Sequence, residues 1–253
     1  MKKFLLGAIG LVALGLASPA VAADIPMPAY SKAPAMIPAF YDWSGFYIGL
    51  NGGGGSSRKC WDLVATPALG TLTPPSPEGC HNATGATAGG QLGYRWQSGP
   101  VVFGLEAQGN WADFKGSNTN LFLPATRDQS RIDAFGLFTG QIGYSWNTVL
   151  VYAKGGAAVT DDRYATFTIP GGVLIDRIRE TRVGGTIGGG VEFSFAPDWS
   201  VAAEYDHLFM GTRNVNAVTP AGVFSATDRV HQDVDLATVR VNYRWGGPVI
   251  AKY

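Results

Sequence analysis

Between Gly89 and Gln108 the chain reads GGQLGYRWQSGPVVFGLEAQ, and its polarity alternates residue by residue. Leu92, Tyr94, Phe103 and Leu105 share one parity, while Gln91, Arg95, Glu106 and Gln108 share the other, on either side of a turn at Gln97–Pro100. A period of two with a short polar break predicts two strands joined as a hairpin. Alternation alone does not say which face is inside. In a water-soluble sheet the apolar face packs inward, whereas in a membrane barrel it meets lipid and the polar face lines the lumen.

The pattern recurs along the chain. Segments ending in an aromatic before a short turn read GQLGYRW to Trp96, GQIGYSW to Trp146, GGVEFSF to Phe195 and VRVNYRW to Trp245. They are spaced by about 50 residues, a period that fits a propeller blade or a long hairpin. Each unit holds only two alternating runs, and a blade needs four short strands, so the hairpin is preferred. Eight strands are predicted at 43–57, 85–97, 101–113, 132–146, 149–160, 182–195, 199–209 and 234–245. The turns at 97–100, 147–148 and 196–198 are tight. The segments 58–84, 114–131, 161–181 and 210–233 are long and rich in Gly, Pro, Asn, Thr and charges. Short turns at one end and long loops at the other are expected of an outer-membrane barrel. The aromatics agree: Trp96, Trp146, Phe195 and Trp245 gather at the short-turn end on the apolar parity, and Trp111 falls at the far end of its strand. Two aromatic girdles flanking an apolar band mark two membrane interfaces. The predicted fold is therefore all-β, an eight-stranded antiparallel up-and-down transmembrane β-barrel over 43–245, with the polar face as lumen.

The ends set the compartment. Lys2 and Lys3, an apolar run Phe4–Ala17 and Ala20-Val21-Ala22 have the layout of a cleaved signal peptide over 1–22. Its apolar run is too short to cross ~30 Å of hydrocarbon as a helix. The stretch 23–42 carries Pro26, Pro28, Pro34 and Pro38 and reads as a periplasmic linker, and 246–253 as a periplasmic tail. Without Lys2 and Lys3 the 19 basic residues fall slightly below the 19 acidic ones, which gives no footprint for nucleic acid. In an exported chain the pair Cys60 and Cys80 is expected to form a disulfide; a metal reading with His81 lacks a fourth ligand.

The stretch DWSGFYIGLNGG, 42–53, resembles the opening strand of the immunogenic, porin-like outer-membrane β-barrel proteins of Gram-negative bacteria. GGVEFSFAPDWSVAAEYDHL, 189–208, is similar to the sixth and seventh strands of the transmembrane domain of outer-membrane protein A. The likeness covers 42–245. It implies a place in the outer membrane, assembly by the barrel assembly machinery, and contact with outer-membrane lipid and lipopolysaccharide. It also implies lumenal roles for Glu106 and Glu192. The basic partners which that family carries on strands four and seven fall on Gln141 and Ala202, so Lys154, Arg182 or Arg95 is expected to substitute.

By parity the lumen should hold Arg95, Glu106, Lys154, Arg182, Glu192, Glu204, Asp206, Arg240 and Arg244, together with Asp133. An eight-stranded barrel has an interior that side chains can fill, so these charges must pair or hold water. Catalytic motifs such as G-x-S-x-G, a P-loop or G-x-G-x-x-G are missing, and His81, His207 and His231 have no H-x-S neighbour. No cofactor or metal is expected. The sequence thus predicts a structural, porin-like barrel with a lumen filled by charged side chains. The alternative is a surface adhesin or receptor working through the long loops, and a lipid-modifying enzyme is weighed last.

Overall fold

The computed structural model describes residues 41–245. The expected signal peptide, all but the last two residues of the linker, and the tail 246–253 lie outside the described residues. Eight strands follow in order: β1 (Gly45–Thr66), β2 (Gly70–Ser98), β3 (Val101–Thr119), β4 (Thr126–Trp146), β5 (Val149–Thr168), β6 (Leu174–Ala196), β7 (Trp199–Val218) and β8 (Phe224–Trp245). Each pairs antiparallel with the next, and β8 returns to β1, which closes the barrel and leaves no free edge across the membrane.

The predicted parity holds through the membrane. Phe46, Ile48, Leu50, Leu92, Leu105, Phe138, Ile142, Ile187 and Val239 point outward and stand exposed. All five predicted girdle residues (Trp96, Trp111, Trp146, Phe195 and Trp245) face out. Among them Trp111 is the most exposed, at 78%.

The long loops are corrected. Most of 58–84, 114–131, 161–181 and 210–233 is strand, and the outer connections shrink to 67–69, 120–125, 169–173 and 219–223. Strands of about twenty residues, tilted by ~40°, rise about 50 Å, twice the ~25 Å apolar band, so the barrel continues well outside the membrane. The composition is misleading because this section meets water outside and needs no apolar face there. Pro77 is tolerated because β2 pairs with β3 only from Thr84 onward, leaving it bonded to β1 alone, and Pro74 and Pro75 fall in the register break of the β1–β2 ladder between Leu63 and Ala65. Cys60 and Cys80 face each other across β1 and β2, Cα atoms 4.1 Å apart, and are bonded.

A second correction concerns Asp133. It sits at an irregularity in the β4–β5 register between Ile132 and Ala134, where one extra residue reverses the parity. Its carboxylate therefore turns outward between Arg131 (2.5 Å) and Arg163 (2.6 Å) and takes no part in the lumen.

Candidate functional site

The lumen is built in layers. Nearest the short turns, Arg95 reaches Glu192 at 2.8 Å, and Ser200 (2.5 Å) and Asn242 (2.9 Å) donate to the same carboxylate. The Arg95 guanidinium lies over the Tyr47 ring, 4.4 Å from its centroid. Arg244, at the short-turn end, donates to the Pro197 carbonyl at 3.0 Å.

Above this pair, the same three-residue device occurs twice, four strands apart. Tyr47 on β1 lies across from Gly93 on β2 and donates to Glu106 on β3 at 2.6 Å. Tyr152 on β5 lies across from Gly190 on β6 and donates to Glu204 on β7 at 2.7 Å. Both glycines are required by the close approach: a Cβ at Gly93 would stand 2.5 Å from the Tyr47 hydroxyl, and one at Gly190 would stand 2.8 Å from that of Tyr152. Arg240 on β8 bonds both Glu106 and Glu204, joining the halves. Lys154 completes the layer, 2.5 Å from Glu204, 3.1 Å from Asp206 and 3.8 Å from Glu106. These side chains are buried, and charges removed from water require such partners.

Of the three expected substitutes for the missing basic residues, Lys154 reaches both glutamates at this level and Arg95 holds Glu192, while Arg182 does not take part. Arg240 supplies the bridging cation, a role the sequence did not single out, and Gln141 donates only to the Tyr47 hydroxyl at 3.4 Å. Arg182 stands further out, bonded to Glu180 at 3.2 Å and to the Val230 carbonyl at 2.9 Å.

The next layer overturns the expectation of a uniformly polar lumen. Phe114, Ile132, Leu137, Leu208, Met210 and Leu236 meet inside the barrel as a buried apolar plug. Beyond it Lys59 pairs with Asp162 at 2.6 Å, and the Lys59 ammonium lies 4.6 Å from the Tyr164 ring centroid. Trp61, Tyr164, Ile178, Val215 and Val230 form a second apolar layer. Lys59, Asp162 and the second apolar layer lie in segments that the sequence composition predicts as loops, which hides their inward parity. The unbroken alternation Ser57, Lys59, Trp61, Leu63 is the signal that would have extended β1.

Four buried carboxyls follow, one from each even strand: Glu78, Asp128, Asp176 and Asp228. Asn120 donates to Glu78 and to Asp128 at 2.9 Å, Thr166 to Asp128 at 3.2 Å and Ser225 to Asp176 at 3.1 Å. Burial pushes Glu78 up to about 7, Asp128 to about 6 and Asp228 to about 8, and raises Asp176 as well. Mutual repulsion adds to the rise in each of the first three. No group of three His, Cys, Asp or Glu side chains among the described residues is placed to chelate a metal ion.

The histidines are all engaged. His81 Nε2 meets Ser130 Oγ at 2.5 Å and its Nδ1 meets Asn118 at 2.6 Å, a pairing invisible in sequence because it joins three strands. Ser130 is fully buried, so its hydroxyl has no access to a substrate. His207 and His231 bond Asp235 (2.7 Å) and Asp233 (3.0 Å) on the outer face.

A closed eight-stranded ring with a lipid-facing apolar band and a paired, filled lumen agrees with the family comparison, in which the model for the outer membrane protein beta-barrel domain matches residues 10–245. The chain belongs to that family. Its place is therefore the outer membrane of a Gram-negative bacterium. Among relatives in this family, it is 27% identical to the 31 kDa outer-membrane immunogenic protein of Brucella melitensis biotype 1, over 97% of this chain and all of that one. It is 24% identical to the 25 kDa outer-membrane immunogenic protein of Brucella abortus biovar 1, over 80% of each. Among solved structures it is similar to the outer membrane protease OmpT from Escherichia coli, with a TM-score of 0.50, 7% identity, and coverage of 79% of this chain and 97% of that one. That likeness concerns the fold alone.

Proposed function

We propose that this protein is a structural, porin-like outer-membrane barrel whose lumen is closed, holding a stiff disulfide-tied crown above the cell surface. The observation that carries the reading is the apolar plug around Phe114, Leu137, Leu208 and Leu236 lying across the bore. Ions crossing it would have to shed water against hydrocarbon, and the charged layer beneath offers paired groups rather than free ones. The reading is non-enzymatic, since the Ser130 hydroxyl beside His81 is sealed from substrate. Planar-bilayer recording of the refolded chain tests it. Wild type should give no steady unitary current, and Glu106→Ala should give at most brief, small events. Large steady currents from wild type would replace this reading with that of a true porin.

One observation favours a second role in surface attachment. All four outer hairpins end in exposed apolar side chains: Leu69, Leu121 and Leu123, Val173, and Val223 with Phe224. Apolar tips on a stiff crown suit contact with another surface. Serine at Leu69, Leu121, Val173 and Val223 together should reduce adhesion of cells bearing the protein while leaving its folded gel mobility intact. Unchanged adhesion would remove this reading.

A further inference from the structure

The Cys60–Cys80 disulfide lies on the outer face of the crown wall. Its neighbours Lys59 and Trp61 on β1 point into the lumen, so Cys60 has the outward parity, and Cys80 stands exposed on β2. The bonded residues are directly opposite each other in the ladder, so the Sγ–Sγ bond runs from one strand to the next. A thiolate attacks a disulfide in line, approaching one sulfur from the side opposite the other. The two approaches differ here. Beyond Cys60 stands β8, with His231 in register. Beyond Cys80 no residue of β3 is in register, because the β2–β3 ladder begins at Thr84 and Lys115. Cys60 is half-buried and Cys80 exposed, in keeping with that difference.

The arm held by this bond has few other ties. From Cys80 to Gly70, β2 pairs with β1 alone, and that ladder breaks twice, between Trp61 and Asp62 and between Leu63 and Ala65. Pro74, Pro75 and Pro77 have no N–H to add to it. At the base of the arm, Asn120 donates to the Glu78 carboxyl at 2.9 Å. The Leu121 N–H (3.0 Å) and Asn118 (3.1 Å) donate to the Glu78 carbonyl. On the adjoining strand Trp61 and Leu63 point inward and are buried, and the arm is part of the wall that encloses them.

We propose that the Cys60–Cys80 bond is a thiol-exchange site, where a low-molecular-weight thiol outside the cell is captured on Cys80 and the β2 arm Gly70–Gly79 is released. The incoming thiolate bonds to Cys80 Sγ, the Sγ–Sγ bond breaks, and its electron pair leaves on Cys60 Sγ, which takes a proton from water. A second thiol displaces Cys80 Sγ in the same way, so two external thiols are oxidised to one disulfide while the protein's disulfide is reduced to two thiols. The stiffness of the crown is thus conditional on an oxidising medium, and reduction uncovers the layer of Trp61 and Leu63. The site lies on the crown wall and is independent of whether the lumen conducts.

The test uses the full chain refolded in neutral detergent with the disulfide formed, its folding verified by heat-modifiable gel mobility. A short pulse of reduced glutathione is stopped with acid and followed by alkylation and peptide mass spectrometry. Folded wild type should exchange no more than about thirtyfold slower than the urea-unfolded chain, since exposed disulfides are the labile ones. Glutathione should be found on Cys80 and the alkyl group on Cys60. A larger lag, or glutathione mainly on Cys60, overturns the exchange site. C60S/C80S reads the released state without added thiol, and dithiothreitol on folded wild type supplies the same state if that variant does not refold. In either, amides between Gly70 and Gly79 should exchange with solvent at least about tenfold faster than in the oxidised protein, with Thr84–Ser98 unchanged. Smaller acceleration in the arm overturns its release, and equal acceleration in Thr84–Ser98 overturns its confinement to the arm.

Discussion

Within the membrane every lumenal carboxylate of the central layers lies beside a cation: Glu192 with Arg95, Glu106 and Glu204 with Arg240, and Asp206 with Lys154. In the outer section Glu78, Asp128, Asp176 and Asp228 are buried to a similar degree and form no ion pair among the described residues, with neutral Asn120, Thr166 and Ser225 as donors. The difference follows from what surrounds each layer. Lipid outside and apolar packing above deny the central charges water, so compensation must be built in. The outer carboxyls sit near the open end of the barrel, and protons can relieve their repulsion instead. The central layers are held by fixed pairs, the outer carboxyl layer by a balance that the medium sets.

The largest expected contrast comes from removing one member of each region. Arg240→Met leaves Glu106 and Glu204 buried without their shared cation and should cost about 3–5 kcal/mol in urea unfolding followed by tryptophan fluorescence. Asp228→Asn removes a charge that has no partner and should be neutral or stabilising at pH 8. Equal losses in the two variants would erase the distinction.

The plug that separates the regions is the next target. Phe114→Ala empties a fully buried site and should cost about 3 kcal/mol, the lower end for such truncations. It should also raise the exchange of backbone amides in the β3–β4 ladder around Phe114 and Ile132 more than elsewhere. A smaller loss than Leu69→Ala, at an exposed tip, would show that the layer contributes no packing.

The smallest effect is the pH response. The outer carboxyls have pKa values above their ordinary range, so the stability they contribute is full below about pH 4 and is lost as pH rises through about 6 to 8. Nearby Asp62 adds to the repulsion on Glu78. Amide protection beyond the plug, corrected for intrinsic exchange, should therefore fall between pH 5 and pH 8 while protection at the membrane level stays constant. Asp228→Asn should flatten the slope. Protection that rises with pH in the outer section would contradict the assignment.

The sequence by itself determined the strand count and the outward parity, including that of Trp96, Trp111, Trp146, Phe195 and Trp245, because alternation is a local property of each strand. It also pointed to a Cys60–Cys80 disulfide, since these are the two cysteines of a chain with an export signal, and put Glu106, Glu192 and Glu204 inside. Tertiary structure alone decided where the strands stop, because the section past Trp111 continues on cross-strand bonding and on inner layers such as Lys59 with Asp162. It decided which cation serves which carboxylate: parity gives a face, whereas the meeting of Arg240 with Glu106 depends on how eight registers close into one ring. It turned Asp133 outward through a single extra residue in the ladder. It set His231 beside Cys60 and left Cys80 without a β3 residue in register as well, since residues from different strands become neighbours only when those strands settle side by side.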